Sequence, residues 1–555
     1  MINKLPQHEA ASKAEQRKAD LHRLQARYEY TYEYANTIAI VRKVPWREFP
    51  GLRYWFTAAL NLAHLIPSLP SLLRTVLHYL SGNPIKNYRD YVFYPRSPQP
   101  NPQLFDNFQQ DLQFGLQRVI GCNPVVLRAV SQQQPLPGNL SVFALQQIFS
   151  EHVPGVDYQT AVAQKRVYVL DYAVLAVLQQ NPGYIDGGHK QHVTTPIVVL
   201  FQQDDGTLRP LAIQLDQAER GNRKIYTTKD GNLWQLAKTF AQIADGNHHI
   251  LYTHAVRIHY VMEAIIMASR RQLHESHPLY VLLDPHLQFT LNVNHQHTFL
   301  KNRWGRPGRF GELFAGDYDA TTQCMADAMT SYNFADYAFP KDIANREVDN
   351  PSLFYPYRDD GLLLWDAIQN FVRDYINTCY QSDEDVALDH EINMWAHDIS
   401  APDRGRIPGF PTKFASRQVL AETIGQIIFH CTAHHSSIHF NQYSYPGFVP
   451  NMPYASYVPP PTGNESDIDA AQLMRIQPGF RAAYSQTWTY YLTNWRVNRM
   501  GDYALHRFDP DAREVIKRFG VRLREIDGQI GKRNRERIVS YERMQPSTIP
   551  NSVTV

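Results

Sequence analysis

The sequence predicts a mainly α-helical protein with a large buried core and one small β-sheet. The chain has 555 residues, of which 43% are hydrophobic and 12% aromatic, which is enough for a large core. After residue 234 apolar residues recur mostly at helical spacing. Short runs rich in Val, Ile and Leu are confined to residues 160–225, approximately, and these predict the sheet.

The domain organisation is predicted from a proline-rich linker and an uneven charge distribution. The heptapeptide SPQPNPQ occupies residues 97–103, so we expect a helical N-terminal extension at residues 1–103 and a main domain at residues 104–555. Residues 1–100 hold 14 Lys/Arg and 7 Asp/Glu, whereas the remainder holds 41 and 46. This asymmetry indicates an anionic partner for the extension. No nucleic-acid-binding motif accompanies the charge, so nucleic acid is not expected as the partner.

The extension contains an uncharged stretch at residues 54–73. Twenty residues would suffice for a membrane span, but Pro67 and Pro70 interrupt the stretch and predict two short helices. With Arg53 and Arg74 at its ends, the stretch is suited to a membrane interface, and we expect peripheral membrane contact through residues 1–96. Helices that simply cap the main domain are the alternative interpretation.

The spacing of the four cysteines argues against two common roles for this residue. They form no C-x-x-C arrangement, which argues against a disulfide framework and against a thiolate metal site. No secretory signal is apparent at the N-terminus, and we expect a cytoplasmic monomer with reduced thiols. The cysteines are Cys122, Cys324, Cys379 and Cys431.

Two histidines, His254 and His259, lie in a helix predicted over residues 234–263. A polar interruption of this helix is expected at the Asp-Gly-Asn tripeptide of residues 245–247. Five residues of α-helix turn by about 500°, which leaves the two imidazoles roughly 140° apart. A local π-helical turn would place both on one face, and such turns are frequent at functional sites. Two hydrogen-bonded core histidines are the alternative interpretation.

A second pair, His435 and His439, has the spacing of metal ligands on a helix. Residues four apart lie on the same helical face, and the flanking sequence ETIGQIIFHCTA predicts that this helix is buried. Unpaired imidazoles are costly in a buried helix. Two such pairs would supply four nitrogen ligands, which suit iron, zinc, copper or nickel.

Further motifs occur in a characteristic order before, between and after the histidine pairs: WQLAK at 234–238, HPLYVLLDPH at 277–286, YRDDGLLLW at 357–365, GFP at 409–411, HHSSIHFNQY at 434–443, VPNMP at 449–453 and the terminal PNSVTV. With these motifs, residues 115–555 resemble the lipoxygenases, which are non-haem iron dioxygenases of polyunsaturated fatty acids. The resemblance is to the shorter bacterial form, without the N-terminal β-barrel of animal and plant relatives.

The resemblance implies one non-haem iron, cycling between Fe²⁺ and Fe³⁺. Its ligands would be His254, His259, His435, His439 and the main-chain carboxylate of Val555. The implied reaction inserts O₂ into fatty acids that contain a cis,cis-1,4-pentadiene, such as linoleate, linolenate or arachidonate. A ferric hydroxide would abstract hydrogen from the bis-allylic carbon, and the products would be hydroperoxides. No side chain need act as a general acid or base in this scheme.

The resemblance also implies several residues around the substrate cavity. Gln442 matches one of two glutamines that link iron to the cavity in several relatives, and Ile250 stands at the other position. Counted from Val293-Asn294, His297 falls at the position that correlates with product stereochemistry. Gly246 and Ala255 replace larger cavity residues of some relatives, which predicts a roomier pocket.

Two other functions are compatible with parts of the sequence. The chain would be a catalytically inactive, membrane-binding homologue if it held no metal, which a metal assay distinguishes. It would be another histidine-ligated iron oxygenase, such as a carotenoid-cleaving enzyme, if the order of motifs were coincidental. The two intact histidine pairs favour the dioxygenase over both alternatives.

Overall fold

The structure is a computed structural model that describes residues 4–82, 84–93, 102–137, 140–185, 188–218, 221, 223–302 and 313–554, without the side chains of 102, 103, 185, 297–302 and 492. Helices form most of this part of the chain, which confirms the mainly α-helical fold class. The π-helices are π1 (His249–Tyr260) and π2 (His430–His434). The α-helices are α1 (Ala11–Arg27), α2 (Leu52–Leu62), α3 (Leu69–Leu80), α4 (Pro102–Asn107), α5 (Asp111–Ile120), α6 (Val142–His152), α7 (Tyr158–Ala163), α8 (Ala176–Gln180), α9 (Asn232–His248), α10 (Val261–Gln272), α11 (Pro278–Leu283), α12 (Thr290–Asn302), α13 (Tyr318–Thr330), α14 (Phe339–Asn345), α15 (Pro356–Cys379), α16 (Asp383–Leu388), α17 (His390–Ser400), α18 (Arg417–Phe429), α19 (His435–Ser444), α20 (Ala470–Met474), α21 (Phe480–Thr493) and α22 (Pro510–Glu536).

The strands are β1 (Tyr30–Thr31), β2 (Ile40–Val41), β3 (Arg128–Ala129), β4 (Val167–Asp171), β5 (Tyr184–Ile185), β6 (His189–Lys190), β7 (Ile197–Gln202), β8 (Leu208–Gln214) and β9 (Ile225–Tyr226). The predicted small sheet is present as five antiparallel strands in the order β3-β4-β7-β8-β9. The β7–β8 hairpin turns at Gly206, which has φ +80°. A Cβ atom added at this position would lie 2.5 Å from the carbonyl oxygen of Ser352. The apolar run VYVLDYAVLAVL at residues 167–178 predicts one strand, but only residues 167–171 form β4, and residues 173–178 lie in a short 3-10 turn and in α8. The reason is that the Asp171 carboxylate accepts from the Ala173 amide at 3.0 Å and ends the strand.

The central helix runs without a break through α9, π1 and α10, and almost all of it is buried. The interruption expected at residues 245–247 is therefore absent. Its polar side chains are paired inside the core, so the helix can pass through them. Asp245 accepts from Arg118 at 2.7 Å and from the Tyr172 hydroxyl at 2.8 Å. Asn247 donates to the carbonyl oxygen of Tyr454 at 2.7 Å.

The N-terminal region packs on the main body of the protein. The uncharged stretch forms α2 and α3, separated by the 3-10 segment Ala63–Ser68, as its prolines predicted. Arg17 forms a buried ion pair with Glu391 of α17. The Tyr91 hydroxyl donates to the carbonyl oxygen of Pro478 at 2.8 Å. Most of the predicted linker lies outside the described residues, so the boundary near residue 103 stays a prediction.

The buried pair of Arg118 and Asp245 generates a stability prediction. Replacing Arg118 with alanine leaves an uncompensated buried carboxylate next to π1, and we expect a loss of about 3–5 kcal/mol in the free energy of unfolding. Denaturant unfolding measures the change. The matched control is Arg89→Ala, because Arg89 pairs with Asp106 on the surface and its loss should leave stability unchanged. Equal stability of the two variants would contradict the prediction.

Candidate metal centre

Four buried histidines converge at the centre of the helical body. One ring nitrogen from each of His254, His259, His435 and His439 lies within 4.8 Å of the other three. The Nε2 atom of His254 is 3.1 Å from Nε2 of His259 and 3.1 Å from Nδ1 of His439. The two histidine pairs singled out in the sequence therefore form one cluster.

The local helix geometry explains this convergence. His254 and His259 both belong to π1, whose wider turn brings residues five apart to one side of the helix, as predicted. His435 and His439 are one turn apart at the start of α19, which packs against π1. Each helix thus directs two imidazoles into the space between them.

The outer nitrogen atoms of two rings are held by oxygen acceptors. Nδ1 of His259 lies 2.8 Å from Oδ1 of Asn294, and Nε2 of His439 lies 3.0 Å from the carbonyl oxygen of Thr493. A carbonyl oxygen only accepts, so these nitrogens carry the ring protons. The inner nitrogens of both rings then present lone pairs to the cluster, as metal ligands do.

Gln442 lies beside the third ring. Its side-chain nitrogen is 3.1 Å from Nδ1 of His254. Metal binding through Nε2 of His254 requires a proton on Nδ1, so the Gln442 amide must then turn its oxygen towards the ring. The residue is thus placed to orient His254.

The electrostatics of the cluster fit a metal cation. Burial lowers the pKa of His254 and of His435 well below the ordinary value, and neighbouring imidazoles lower both pKa values further. The rings of His254 and His435 are therefore neutral near pH 7. Protonation of these two rings cannot relieve the repulsion between lone pairs inside the cluster. Neither ring nitrogen of His435 has a hydrogen-bond partner among the described residues. A cation bound through one nitrogen of each ring would compensate the four lone pairs that face the cluster, including the one from His435.

Glu263 extends the network behind His259 and was not singled out in the sequence. Its carboxylate accepts from Nδ2 of Asn294 at 2.7 Å and from the Val41 amide at 2.8 Å. Burial raises the pKa of Glu263 to about 7 despite these two donors. A charged residue within the apolar run VMEAIIMA was the available signal, since such residues are seldom buried without a partner.

An apolar cavity adjoins the cluster, and Ile250, Ala255 and Gln442 line it. Gly246 is not among the lining residues, and the space beside it is filled, because a Cβ there would lie 2.9 Å from Cδ1 of Tyr454. The His297 side chain lies outside the described residues. The cavity has a volume of about 80 Å³, below the roughly 300–1,000 Å³ of small-molecule sites, so a ligand as large as a fatty acid would fit only after lining side chains had moved. Its other lining residues are Tyr34, Leu251, His254, His259, Tyr260, Asn294, Phe314, Thr321, Met325, His439, Thr489, Tyr490 and Thr493.

Residues 551–554 pass back into the helical body and are buried. The Thr290 hydroxyl donates to the carbonyl oxygen of Val553 at 2.9 Å, and the Tyr54 hydroxyl donates to that of Thr554 at 3.0 Å. Thr290 lies one turn before Asn294 on α12. The same face of this helix therefore contacts both the chain end, through Thr290, and His259, through Asn294. Val555, the remaining residue of the predicted ligand set, lies outside the described residues.

Glu263 generates a prediction of pH dependence. The folded protein holds the Glu263 proton more tightly than the unfolded chain, so wild-type stability falls as pH rises from 4.5 towards 7. Glu263→Gln lacks this titration, so we expect its stability relative to wild type to increase by about 2–3 kcal/mol between about pH 5 and about pH 8. Denaturant unfolding at both pH values measures it. The exposed control Glu275→Gln should follow wild type, and a pH-independent difference for Glu263→Gln would refute the prediction.

Comparisons with known proteins agree with this fold. The sequence matches the lipoxygenase family model over residues 3–554. It is 29% identical to the human polyunsaturated fatty acid lipoxygenase ALOX15B over 477 residues, covering 84% of this chain and 68% of the human protein. It is 31% identical to the linoleate 9/13-lipoxygenase of Pseudomonas aeruginosa over 477 residues, covering 82% of this chain and 68% of the bacterial protein. The crystal structure of a LOX variant in complex with arachidonate is similar at a TM-score of 0.89 and 26% identity, covering 100% of this chain and 83% of that chain. The resemblance inferred from the motifs is confirmed, and the chain belongs to the lipoxygenase family.

Proposed function

We propose that this protein is an iron-dependent dioxygenase that converts polyunsaturated fatty acids with a cis,cis-1,4-pentadiene to hydroperoxides. The observation that carries the proposal is the opening of the four-imidazole cluster onto an apolar cavity. A pentadiene and O₂ are both apolar, so a water-poor cavity beside a redox metal suits both reactants. Relatives whose names specify polyunsaturated fatty acids or linoleate support the same substrate class.

His254, His259, His435 and His439 are the proposed iron ligands. Bound iron would supply the one-electron redox chemistry that removes a hydrogen atom from the bis-allylic carbon. Asn294 and Thr493 would fix the ring protons of two ligands, and Gln442 would orient a third. No carboxylate is among the described residues that line the cavity, so the side chains there position the substrate and exclude water.

Substrate admission requires the cavity to widen. The space of about 80 Å³ is well below the roughly 300–1,000 Å³ of small-molecule sites, so linoleate does not fit it as it stands. Leu251, Phe314 and Met325 are large lining side chains whose rotation would open the cavity. We propose that these residues, together with Ile250 and Ala255, select the carbon that reacts.

The proposal predicts linoleate-dependent oxygen uptake with about one iron per chain. Purified protein is incubated with linoleate, oxygen uptake is followed, and the products are identified as hydroperoxides. His259→Ala should lose both iron and oxygen uptake because it removes a ligand that Asn294 orients. The matched control is His189→Ala, since His189 is exposed on β6 and should retain both.

The outcomes separate the proposal from its alternatives. Full iron content in His259→Ala would remove His259 from the ligand set. Wild-type protein that holds no metal and consumes no oxygen would identify a catalytically inactive homologue. A zinc-loaded, iron-free protein that turned over linoleate would refute the redox mechanism.

We also propose the main-chain carboxylate of Val555 as an iron ligand. Support comes from the neighbouring residues, since Thr290 and Tyr54 hold the carbonyl groups of Val553 and Thr554 inside the body. A carboxylate there would be stable only next to a cation, because desolvation of an unpaired anion is costly.

A glycine added after Val555 tests this ligand. The extension moves the carboxylate by up to about 3.5 Å, so we expect a folded protein with little iron and little oxygen uptake. The matched control is Val555→Ala, which keeps the main-chain carboxylate in place and should retain iron. Normal iron content and turnover in the extended protein would exclude the carboxylate of Val555 from the site.

A further inference from the structure

One region of the surface concentrates exposed apolar side chains. Among the described residues, 21 large hydrophobic side chains are exposed, and eleven of them lie between Trp46 and Leu80. Monomeric soluble proteins seldom expose apolar patches of such density without a binding role. We call these eleven residues the apolar face: Trp46, Phe49, Leu52, Trp55, Phe56, Leu60, Ile66, Leu69, Leu73, Leu77 and Leu80.

The apolar face is the outer side of helices that are fixed on their inner side. Tyr54 of α2 is buried in a cluster with Phe440 and Trp495. Leu65 and Leu72 are buried in a second cluster that includes residues from the segment after α19. The helices therefore pack on the body through one side, and both sides are apolar.

The region does not cross a membrane as it stands in this structure. By length and composition, Trp46–Leu80 qualifies as a stretch that could span a bilayer. However, α3 has 12 residues and is about 18 Å long, against about 30 Å for the hydrocarbon core. The 3-10 segment containing Pro67 separates α3 from α2, and the inner side of both helices is packed. An arrangement parallel to a membrane surface fits these constraints.

The charges around the apolar face are predominantly positive. Residues 42–90 contain seven Lys/Arg and two Asp/Glu. Glu48 points inwards and pairs with Arg270 at 3.0 Å, while Asp90 accepts from the Asn87 amide at 3.1 Å in a helix cap. Arg53 and Arg74 are exposed beside the apolar residues. The outer surface is thus complementary to anionic lipid headgroups.

We propose that the apolar face docks on anionic phospholipid bilayers. The apolar side chains enter the boundary between headgroups and acyl chains, and Arg53 and Arg74 contact the phosphates. Because Tyr54 of α2 also donates to Thr554, docking places the bilayer against the helix that contacts the segment next to the metal centre. Docking requires neither metal nor turnover, so its test is independent of the proposed function.

Vesicle flotation of the full chain tests the docking surface. The vesicles are phosphatidylcholine alone or with about 30% phosphatidylserine, and about 0.5 M salt should release the protein from the anionic vesicles. The triple variant Phe56→Ser, Leu60→Ser, Leu73→Ser should lower the partition coefficient at least about tenfold. The matched control is Phe143→Ser, Leu388→Ser, Ile538→Ser, which removes equally exposed apolar residues elsewhere and should bind like wild type.

A second measurement locates the inserted residues. Brominated lipid should quench tryptophan fluorescence in the wild type, and Trp46→Phe with Trp55→Phe should abolish most of the quenching. Equal flotation of the two triple variants, or quenching that persists without these tryptophans, would overturn the proposal. Wild-type protein that binds neither vesicle and forms dimers that Phe56→Ser, Leu60→Ser, Leu73→Ser dissociates would assign the face to self-association instead.

Discussion

The convergence of four buried imidazoles at one point in the core is the constraint on which the surrounding structure depends. Burial keeps the pKa values of His254 and His435 low, so the cluster cannot be stabilised by protonation near neutral pH. A cation is the remaining means of compensating their lone pairs. The chain must then hold the four rings within bonding range of one point, which requires a helix with a widened turn, π1, next to a regular one, α19.

Several distant segments meet behind the cluster. On α12, Asn294 orients His259 while Thr290 holds the carbonyl oxygen of Val553. From the N-terminal region, the Val41 amide donates to Glu263, and Tyr34 lines the cavity. The N-terminal region is thus part of the support of the site. Removing it would disturb the metal centre as well as any surface function, which is why point variants are the informative probes of that surface.

Helical periodicity predicted the fold class and the buried central helix. The spacing of the residues in each histidine pair predicted that both pairs would act as ligands. The π-helix was predicted because no regular helix could aim His254 and His259 at one point. Tertiary pairing could not be predicted: Asp245 stays helical only because Arg118 and Tyr172 meet it in the core. Gly246 was expected to line the cavity, yet a Cβ atom at this position would meet the ring of Tyr454, which is distant in the chain. Asn294 and Thr493 were missed because short-range patterns do not reveal which polar groups contact a distant ring.

The metal centre and the cavity place different limits on the reaction. The four imidazoles are already close together, whereas the space beside them is too small for a fatty acid. Gln442 contacts His254, whereas the Ile250 side chain has no hydrogen-bonding group, so no side-chain hydrogen-bond chain continues through that residue. With an apolar side chain there, recognition on this side of the cavity depends on shape and on exclusion of water. In the proposed reaction, the choice of carbon should therefore depend on the side chains that move to admit the substrate rather than on the four histidines.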